Sequence, residues 1–357
     1  MLEKKPLWYI LEEGHYSKKT RKLEMKKALF VLSDFMFEKC YDEATLKLIH
    51  ANFDVIGENI TKVNYKNNLE YFKDVEVIFS GMGSIEYSEE IMAISPNLEA
   101  IFYAAGSMKS LLTDTVWELG VTISTANSAN AIPVAEFTLS QIIFSLKDGW
   151  KFVRETRANR GKPDGVVVHE TPGAYKQTVG IISLSQIGRK TIELLKPFDL
   201  DIIAYDPFIE EAEAKKLGVK LVELDELFEQ ADIVSLHAPW LPETENMITG
   251  DHFRKMKHGT SFINTAHGAI VNEPEMLEAL KERTDLTAVL DVVYPEPPAK
   301  DSLIFELDNV VYTPHIAGST GKELARLGAL MADEAMRYIN DEPLQYEITK
   351  EGYEIMA

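Results

Sequence analysis

The chain has 357 residues, 45% of them hydrophobic, and one cysteine, Cys40. Such a chain can bury large cores without an internal disulfide, and its length suggests roughly two domains. Its 37 basic and 57 acidic residues give a formal net charge of −20, which disfavours nucleic acid and anionic membranes as partners. The sequence shows no apolar run of membrane-spanning length and no signal-peptide pattern, so we expect a cytoplasmic protein.

The first half of the chain predicts strands that alternate with helices, the pattern of a parallel α/β sheet. We expect strands at 27–33, 53–56, 75–79, 98–103 and 121–124, and helices at 42–51, 89–94 and 111–119. Residues 1–25 mix aromatic side chains with a basic run and are read as an extension. Pro133 then begins a long apolar helix predicted to run to about Phe152, since proline suits a first helical turn.

The second half predicts another unit of the same kind. Residues 156–176 are polar and rich in glycine and proline, and indicate a long surface loop. Strands are expected from 178 and at 200–205, 233–236, 260–263, 286–290 and 310–313, with helices at 187–195 and 322–338. The last helix is long enough to return to the first domain.

A small-residue turn between an apolar strand and an amphipathic helix is the most informative local feature. It reads Ser183-Leu184-Ser185-Gln186-Ile187-Gly188, and Asp206 ends the next strand about twenty residues on. This is the layout of a dinucleotide-binding βαβ unit, in which a carboxylate holds the adenine ribose. Only the third glycine of Gly-x-Gly-x-x-Gly is kept, so the turn alone is weak evidence for a dinucleotide site. A carboxylate at Asp206 would repel a 2′-phosphate, which favours NAD over NADP.

Polar and titratable groups follow the other predicted strands of the second unit as well. They are His237-Ala238-Pro239, Asn264-Thr265-Ala266-His267-Gly268, Asp291 with Glu296, and Pro314-His315-Ile316-Ala317-Gly318. In open α/β sheets ligands bind beyond the carboxyl ends of the strands. We therefore expect these groups to gather at one edge of the sheet.

From about residue 98 to 320 the order of these motifs resembles that of the D-isomer-specific 2-hydroxyacid dehydrogenases, an NAD-dependent family. The matching motifs are Thr178-Val-Gly-Ile-Ile, Tyr205-Asp-Pro, Leu236-His-Ala-Pro with Pro242-Glu-Thr244, Ile263-Asn-Thr-Ala, Leu290-Asp-Val with Pro295-Glu-Pro-Pro, and Thr313-Pro-His-Ile-Ala-Gly. Pro133-Val-Ala-Glu136 matches the family's interdomain helix.

The resemblance implies an α/β fold of two Rossmann-like domains with parallel sheets, the substrate domain being discontinuous in sequence. Residues 1–129 would form the substrate domain with its extension, 130–320 the NAD-binding domain, and 321–357 a helix returning to the substrate domain. The activity implied is hydride transfer between NAD(H) and a 2-keto or 2-hydroxy acid, with D specificity. A homodimer around the interdomain helix is also implied, and no metal.

Site residues follow from the same resemblance. His315 would exchange a proton with the substrate oxygen, which suits an imidazole of pKa about 6.5, and Glu296 would hold its ring. The catalytic set is completed by His267, and the substrate loop is Gly106, Ser107, Met108 and Lys109. The residues expected to bind the cofactor are Ser183, Ser185, Gln186, Ile187, Gly188, Asp206, His237, Ala238, Pro239, Thr244, Thr265, Ala266, His267, Asp291, His315, Ala317 and Gly318. Of these, His237 is expected to line the adenine pocket.

The chain departs from the family pattern in three features: the turn, the arginine position and the substrate loop. Ser183 and Ser185 replace two glycines, and we expect cofactor binding to survive in weakened form. His267 stands where the family has a substrate-gripping arginine, and Lys109 adds a cation to the glycine-rich substrate loop. A guanidinium grips a carboxylate bidentately, whereas an imidazole makes one bond at a time. We hypothesise that Lys109 partly replaces the arginine.

Other functions stay open at this point. One is a degenerate family member that binds NAD with little or altered activity, because His267 replaces the arginine. A formate dehydrogenase is disfavoured by Glu296, since formate oxidation needs no carboxylate-paired acid histidine. Asp206 and the histidine pair make a methyltransferase-like use of the turn improbable.

Overall fold

The computed structural model describes residues 25–163 and 165–354, and the extension predicted over 1–25 lies almost wholly outside this part. The chain first forms five strands and four helices. They are β1 (Lys27–Val31), α1 (Asp34–Cys40), α2 (Glu43–Asn52), β2 (Asp54–Val55), β3 (Val77–Ser80), α3 (Glu89–Ile94), β4 (Ala100–Tyr103), α4 (Asp114–Glu118) and β5 (Thr122–Thr125). All five strands predicted for this half are confirmed, with small shifts at their ends.

The middle of the chain carries seven more strands. It runs through α5 (Asn127–Ser145), α6 (Gly149–Asn159), α7 (Gly165–His169), β6 (Thr178–Ile182), α8 (Gln186–Leu195), β7 (Asp201–Tyr205), α9 (Glu211–Leu217), β8 (Lys220–Leu221), α10 (Leu224–Gln230), β9 (Ile233–Leu236), α11 (Gly250–Lys255), β10 (Ser261–Asn264), α12 (Glu273–Glu282), β11 (Thr287–Leu290) and β12 (Val310–Tyr312). The last elements are α13 (Leu324–Ile339), β13 (Glu347–Ile348) and α14 (Lys350–Glu354). The sequence analysis gave no counterpart for two short strands and seven helices: β8 and β13, and α1, α7, α9, α10, α11, α12 and α14.

These strands form two separate sheets within the described residues. The first is six-stranded, in the order β13-β5-β4-β3-β1-β2, and is parallel except that β13 runs antiparallel to β5. The second is an all-parallel sheet of seven strands, in the order β12-β11-β10-β9-β6-β7-β8. Two mainly parallel sheets confirm the predicted fold class. Because β13 completes the first sheet, that unit is discontinuous in sequence.

Both sheets are covered by helices on both faces. In the first sheet α1, α2 and α13 cover one face, around a core that contains Phe79 and Met331, and α3 and α4 pack on the other. In the second, α10, α11 and α12 cover one face, and α5 and α8 cover the other. Parallel strands buried on both faces read as nearly continuous apolar runs, which is why the sequence predicted them well.

The helix that leaves the first sheet differs from the prediction. It begins at Asn127, so that Pro133 lies inside it, and it ends at Ser145 instead of near Phe152. After Asp148, which has a left-handed backbone, α6 continues at a bend of 59°. An internal proline costs a helix about 3 kcal/mol, and packing of α5 against α8 and the second sheet outweighs that cost.

Residues 156–176 are also less irregular than predicted, since they include the end of α6 and all of α7. Among the described residues, no single helix has the length and apolar composition needed to cross a membrane. The bent pair α5 and α6 meets those two criteria only when both helices are counted together.

Candidate active site

The topology places a crevice at the carboxyl edge of the second sheet. From β6 the chain continues to β7 and β8 on one side, and it then returns to β9 on the other side of β6. The gap between β6 and β9 is therefore the topological switch point, where such folds bind ligands. Two cavities open there. We call the one of about 390 Å³, which also reaches the first unit, the cleft cavity, and the one of about 460 Å³ beside β7 the side cavity.

Most of the predicted cofactor residues line these cavities. The cleft cavity is lined by Ser185, Gln186, Ile187, His237, Ala238, Pro239, Thr265, Ala266 and His267. The side cavity is lined by Ser183, Ser185, Asp206, Ala238, Pro239 and Thr244. Thr265 is fixed by a hydrogen bond of 2.8 Å between its hydroxyl and that of Thr138 in α5. The elements around both cavities are therefore tied to the helix that connects the two sheets.

The two serines of the turn play different structural roles. Ser183 has a φ of +75°, in the left-handed region. The glycine that usually stands here adopts this conformation without strain, whereas a serine does not. Ser185 is the N-cap of α8: its hydroxyl accepts from the Gly188 amide at 3.3 Å and donates to the His237 carbonyl at 2.8 Å. Its Oγ is thus engaged within the protein. At Gly188 a Cβ would lie 2.2 Å from the Ser183 carbonyl oxygen, so only glycine fits.

These roles predict opposite effects of two substitutions. Ser183→Gly should raise the free energy of unfolding by about 1 kcal/mol, because it removes left-handed strain, and should tighten NADH binding. Ser185→Ala should lower it by about 1 kcal/mol, because it removes an N-cap. Urea unfolding and a fluorescence titration with NADH measure both. Changes of the same sign in the two variants would contradict this assignment.

Asp206 closes β7 and organises the same turn. Its Oδ2 accepts from the Leu184 amide at 2.7 Å and lies 3.4 Å from the Ser183 hydroxyl, while Oδ1 accepts from the Phe208 amide at 2.9 Å. The carboxylate is only partly buried and lines the side cavity. It can therefore still meet a hydroxyl-bearing group placed there.

The sequence analysis missed the apolar walls of the side cavity. They are Phe208, Ile209, Leu241 and Met247. Phe208 is 85% exposed, so its ring is free to cover a flat ligand in this cavity. The available signal was Phe208, an apolar residue that follows the end of a strand and does not pack in the core, next to Ile209, which does.

His237 lies on the cleft cavity and is absent from the lining of the side cavity, which takes the position expected of an adenine pocket. Its side chain is buried, with Nε2 2.9 Å from the Ser235 hydroxyl. Burial lowers the pKa of His237 to about 3. His237 is therefore neutral at working pH, and it lies on the cleft cavity instead of the side cavity, where the adenine pocket was expected.

This burial predicts a pH effect on stability. Between pH 6.5 and about 3 the unfolded chain binds a proton at His237 that the folded chain does not. The contribution of His237 to stability is complete above pH 6.5. Below that, the free energy of unfolding decreases by about 1.4 kcal/mol for each unit by which the pH is lowered. In urea unfolding at several pH values, His237→Gln should show a smaller slope below pH 6.5. His50→Gln, at an exposed site, is the control. Equal slopes in the parent and His237→Gln would refute the prediction.

His315 and Glu296 form a pair at the ends of β12 and β11. The Nδ1 atom of His315 lies 3.0 Å and 3.1 Å from the two carboxylate oxygens of Glu296. A carboxylate at Nδ1 selects the tautomer that carries its proton there, which leaves Nε2 for proton exchange with a ligand. The side chain of His315 is 57% exposed, so a ligand can reach it.

The loop that carries His315 is held by Asp291. This buried carboxylate accepts from the Thr313 hydroxyl at 2.6 Å, the Ile316 amide at 3.0 Å and the Ala317 amide at 2.8 Å. Its oxygens are therefore occupied by the loop, and its evident role is to position the loop. His315 itself has φ of +55°, a strained conformation of the kind that concentrates at functional sites.

The end of this loop meets the interdomain helix. Asn130 in α5 accepts from the Ser319 amide at 2.9 Å, and a Cβ on Gly318 would lie 3.4 Å from the Asn130 Oδ1 atom. The sequence analysis singled out Gly318 but missed Asn130. A side-chain amide early in a domain-crossing helix was the only signal for it.

His267 and Lys109 are brought together from opposite sheets. Burial, with smaller contributions from the nearby His315 and Lys109, lowers the pKa of His267 to about 4. The Lys109 Nζ atom is 3.5 Å from the Trp240 carbonyl oxygen, and partial burial lowers the pKa of this lysine. At neutral pH the cluster therefore presents one cation, Lys109, beside a neutral imidazole.

The remainder of the substrate loop is arranged around this lysine. Gly106 and Ser107 are accessible, but Met108 is 1% exposed and packs in the core of the first sheet, so only its backbone can meet a ligand. The Tyr353 hydroxyl in α14 donates to the Lys109 carbonyl at 3.2 Å. The C-terminal segment, which the sequence analysis did not connect with the site, thus holds the loop. Among the described residues no cluster of three or more His, Cys, Asp or Glu could hold a metal ion.

A family model and several curated proteins match this chain. Residues 141–317 match the family model described as D-isomer specific 2-hydroxyacid dehydrogenase, NAD binding domain. The D-3-phosphoglycerate dehydrogenase of Archaeoglobus fulgidus is 31% identical over 72% of this chain and 48% of its own length. That of Methanocaldococcus jannaschii is 29% identical over 84% of this chain and 56% of its own. The chain thus spans about half the length of the curated relatives it matches.

Solved structures match over nearly the whole fold. The D-mandelate dehydrogenase of Rhodotorula graminis in its apo form has a TM-score of 0.76 at 21% identity, covering 91% of this chain and 98% of that one. The NAD-complexed D-isomer specific 2-hydroxyacid dehydrogenase of Lactobacillus delbrueckii has a TM-score of 0.74 at 19% identity, covering 91% and 100%. At these identities the likeness establishes the fold.

Proposed function

Because the chain belongs to the D-isomer-specific 2-hydroxyacid dehydrogenase family and carries its NAD-binding domain, we propose that it transfers a hydride between NAD(H) and a D-2-hydroxy or 2-keto acid. The observation that supports this most is the His315–Glu296 pair, at 3.0 Å, with His315 and Lys109 both close enough to His267, on the cleft cavity, to act on its charge. A protein that only binds the cofactor has no need of such a pair.

The residues around the two cavities fit a dinucleotide. Gly188 leaves no room for a Cβ and allows the turn to approach a pyrophosphate closely. Asp206 would hold the ribose hydroxyls, and Phe208 would cover the adenine in the side cavity. Gln186 and Ile187 would meet the pyrophosphate at the start of α8, and Thr265, Ala266 and His267 would flank the nicotinamide half in the cleft cavity. NADH, when bound, supplies the hydride that reduces C2.

The proton would be handled by His315. In reduction its Nε2 atom donates a proton to the carbonyl oxygen at C2, and in oxidation it takes the proton back. Glu296 keeps the ring oriented throughout. The loop clamp by Asp291 fixes the histidine backbone, so that the ring is placed before the substrate arrives.

The substrate carboxylate would be held by Lys109. His267 stays neutral above a pKa of about 4 and can offer a single hydrogen bond, whereas Lys109 supplies a full charge in a partly dry site. The backbone amides of the Gly106–Lys109 loop would add donors. The carboxylate grip in this chain is therefore proposed to come from the first sheet, and the proton from the second.

The test is NADH oxidation, followed by the loss of its absorbance, with glyoxylate, pyruvate, hydroxypyruvate and branched 2-keto acids at several pH values. Turnover of at least one of them by the parent, and its loss in His315→Gln, is expected. The competing proposal is a degenerate NAD-binding member, which the neutral His267 favours. It predicts NADH binding without turnover of any 2-keto acid.

A homodimer and a cytoplasmic location stay predictions, as do the domain boundaries at 129 and 320. Exposed apolar side chains on the arm formed by α5 and α6, Phe144 and Val153, fit a subunit interface there. 

A further inference from the structure

Two exposed aromatic rings stand beside the proposed reaction centre with no assigned role. Trp240 follows β9 and Tyr294 follows β11, and their side chains are 39% and 50% exposed. Their rings meet edge-to-face with centroids 5.2 Å apart. Because β9 and β11 end at the same edge of the second sheet, both rings lie at the mouth of the site. We call them, together with His267, the aromatic wall.

Contacts connect the aromatic wall to the groups proposed for catalysis. The Trp240 ring centroid is 6.2 Å from that of His267, and the Trp240 carbonyl is 3.5 Å from the Lys109 Nζ atom. Tyr294 precedes Glu296, the partner of His315, by two residues. A substrate with its carboxylate on Lys109 and its C2 oxygen on His315 therefore has this wall within reach of its remaining substituent.

The backbone that carries Tyr294 is closely packed. A Cβ on Gly268 would lie 2.0 Å from the Val293 carbonyl carbon, so the chains after β10 and β11 pack with no spare space. The Tyr294 amide donates to Glu273 at 3.4 Å. Because this backbone is held, less entropy is lost there when a ligand covers the Tyr294 ring, which favours binding.

The charges around the aromatic wall determine which kind of substrate substituent can bind there. His267 is neutral at working pH, and the acidic groups Glu296 and Glu273 lie on the same side. An anionic substituent such as a phosphate would meet these carboxylates, while Lys109 is already engaged by the substrate carboxylate. An aromatic or large apolar substituent would instead bury its surface against indole and phenol rings.

We propose that the site selects 2-keto and 2-hydroxy acids with an aromatic or large apolar substituent, and that Trp240 and Tyr294 determine this specificity. The inference rests on the proposed function, since it uses the placement of the substrate by Lys109 and His315. It adds the substrate class, which neither the family nor the pair His315–Glu296 specifies.

The first arm of the test compares turnover of phenylpyruvate and pyruvate by the full chain with NADH. We expect kcat/KM to be at least about tenfold higher for phenylpyruvate. Trp240→Ala and Tyr294→Ala should each reduce that preference mainly through KM, and Trp240→Phe should keep most of it. Phe35→Ala, at an exposed ring outside the site, is the control. A preference unchanged in both alanine variants, or a parent that favours pyruvate, would overturn the proposal.

The second arm separates this inference from the proposed function. Calorimetry measures binding of D-3-phenyllactate and D-lactate to the NADH-loaded protein, which requires no turnover. Tighter binding of phenyllactate, reduced in Trp240→Ala, supports the wall even if no 2-keto acid is reduced, in which case only the proposed function fails. Equal binding of the two acids refutes the wall whether or not turnover is seen.

Discussion

His315→Gln is expected to lower kcat for 2-keto acid reduction by a factor of about 10²–10⁴, the usual contribution of a positioned general acid. Glutamine keeps a polar group of similar size but cannot deliver a proton to the substrate oxygen. NADH binding should change little, because the two cavities are lined mainly by other elements. Steady-state kinetics and an NADH fluorescence titration measure the two effects separately.

Two further variants sharpen this prediction. Glu296→Gln should cause a smaller loss of kcat, since it removes the negative charge at Nδ1 but leaves His315 in place. His258→Gln, at a side chain that is 90% exposed, should leave kcat unchanged. If His315→Gln kept a near-parental kcat, the proton donor would have to be another group, and the proposed mechanism would be wrong.

Lys109→Ala is expected to raise KM for 2-keto acids by about 10- to 150-fold. This corresponds to the loss of a charge-assisted hydrogen bond of about 1.5–3 kcal/mol. The effect should be on KM more than on kcat, because the lysine holds the carboxylate and not the reacting carbonyl. Lys109→Arg should retain most of the affinity, and NADH binding should be unaffected in both variants.

A second substitution tests whether the lysine replaces the family's arginine. Adding His267→Arg to Lys109→Ala should recover part of the lost affinity, since a guanidinium grips a carboxylate bidentately. An unchanged KM in Lys109→Ala would rule out the role given to the lysine. If the double variant shows no recovery, position 267 in this chain no longer faces the substrate carboxylate.

The sequence predicted the second sheet and much of the edge of its site because both depend on local patterns. Strands buried on two faces are continuous apolar runs, and the polar residues that follow them are adjacent in sequence. Ile233–Leu236 was predicted with its observed ends. The proximity of His315 and Glu296 followed from the family motifs, and the structure places them 3.0 Å apart.

The features that the sequence analysis missed depend on packing between distant segments, which leaves no local pattern in the sequence. Pro133 looks like a helix start, yet α5 begins at Asn127 because the chain enters the helix directly from β5. Phe208, Asn130 and Tyr353 each act through a contact with a residue or cavity far away in sequence. Met108, predicted to touch the substrate, turns its side chain into the core instead. Burial of this kind cannot be read from the loop alone.

The pairing of β13 with β5 has a consequence for how the protein is made. Ser124 and Tyr346 are joined by a hydrogen bond although they lie 222 residues apart, and the buried Glu334 accepts from both segments. During synthesis the seven-stranded unit is complete before β13 leaves the ribosome, and domains fold as units once they are available. We therefore expect the seven-stranded unit to form before Tyr353 tethers the Lys109 loop, so that the dinucleotide site is built earlier than the loop that faces it.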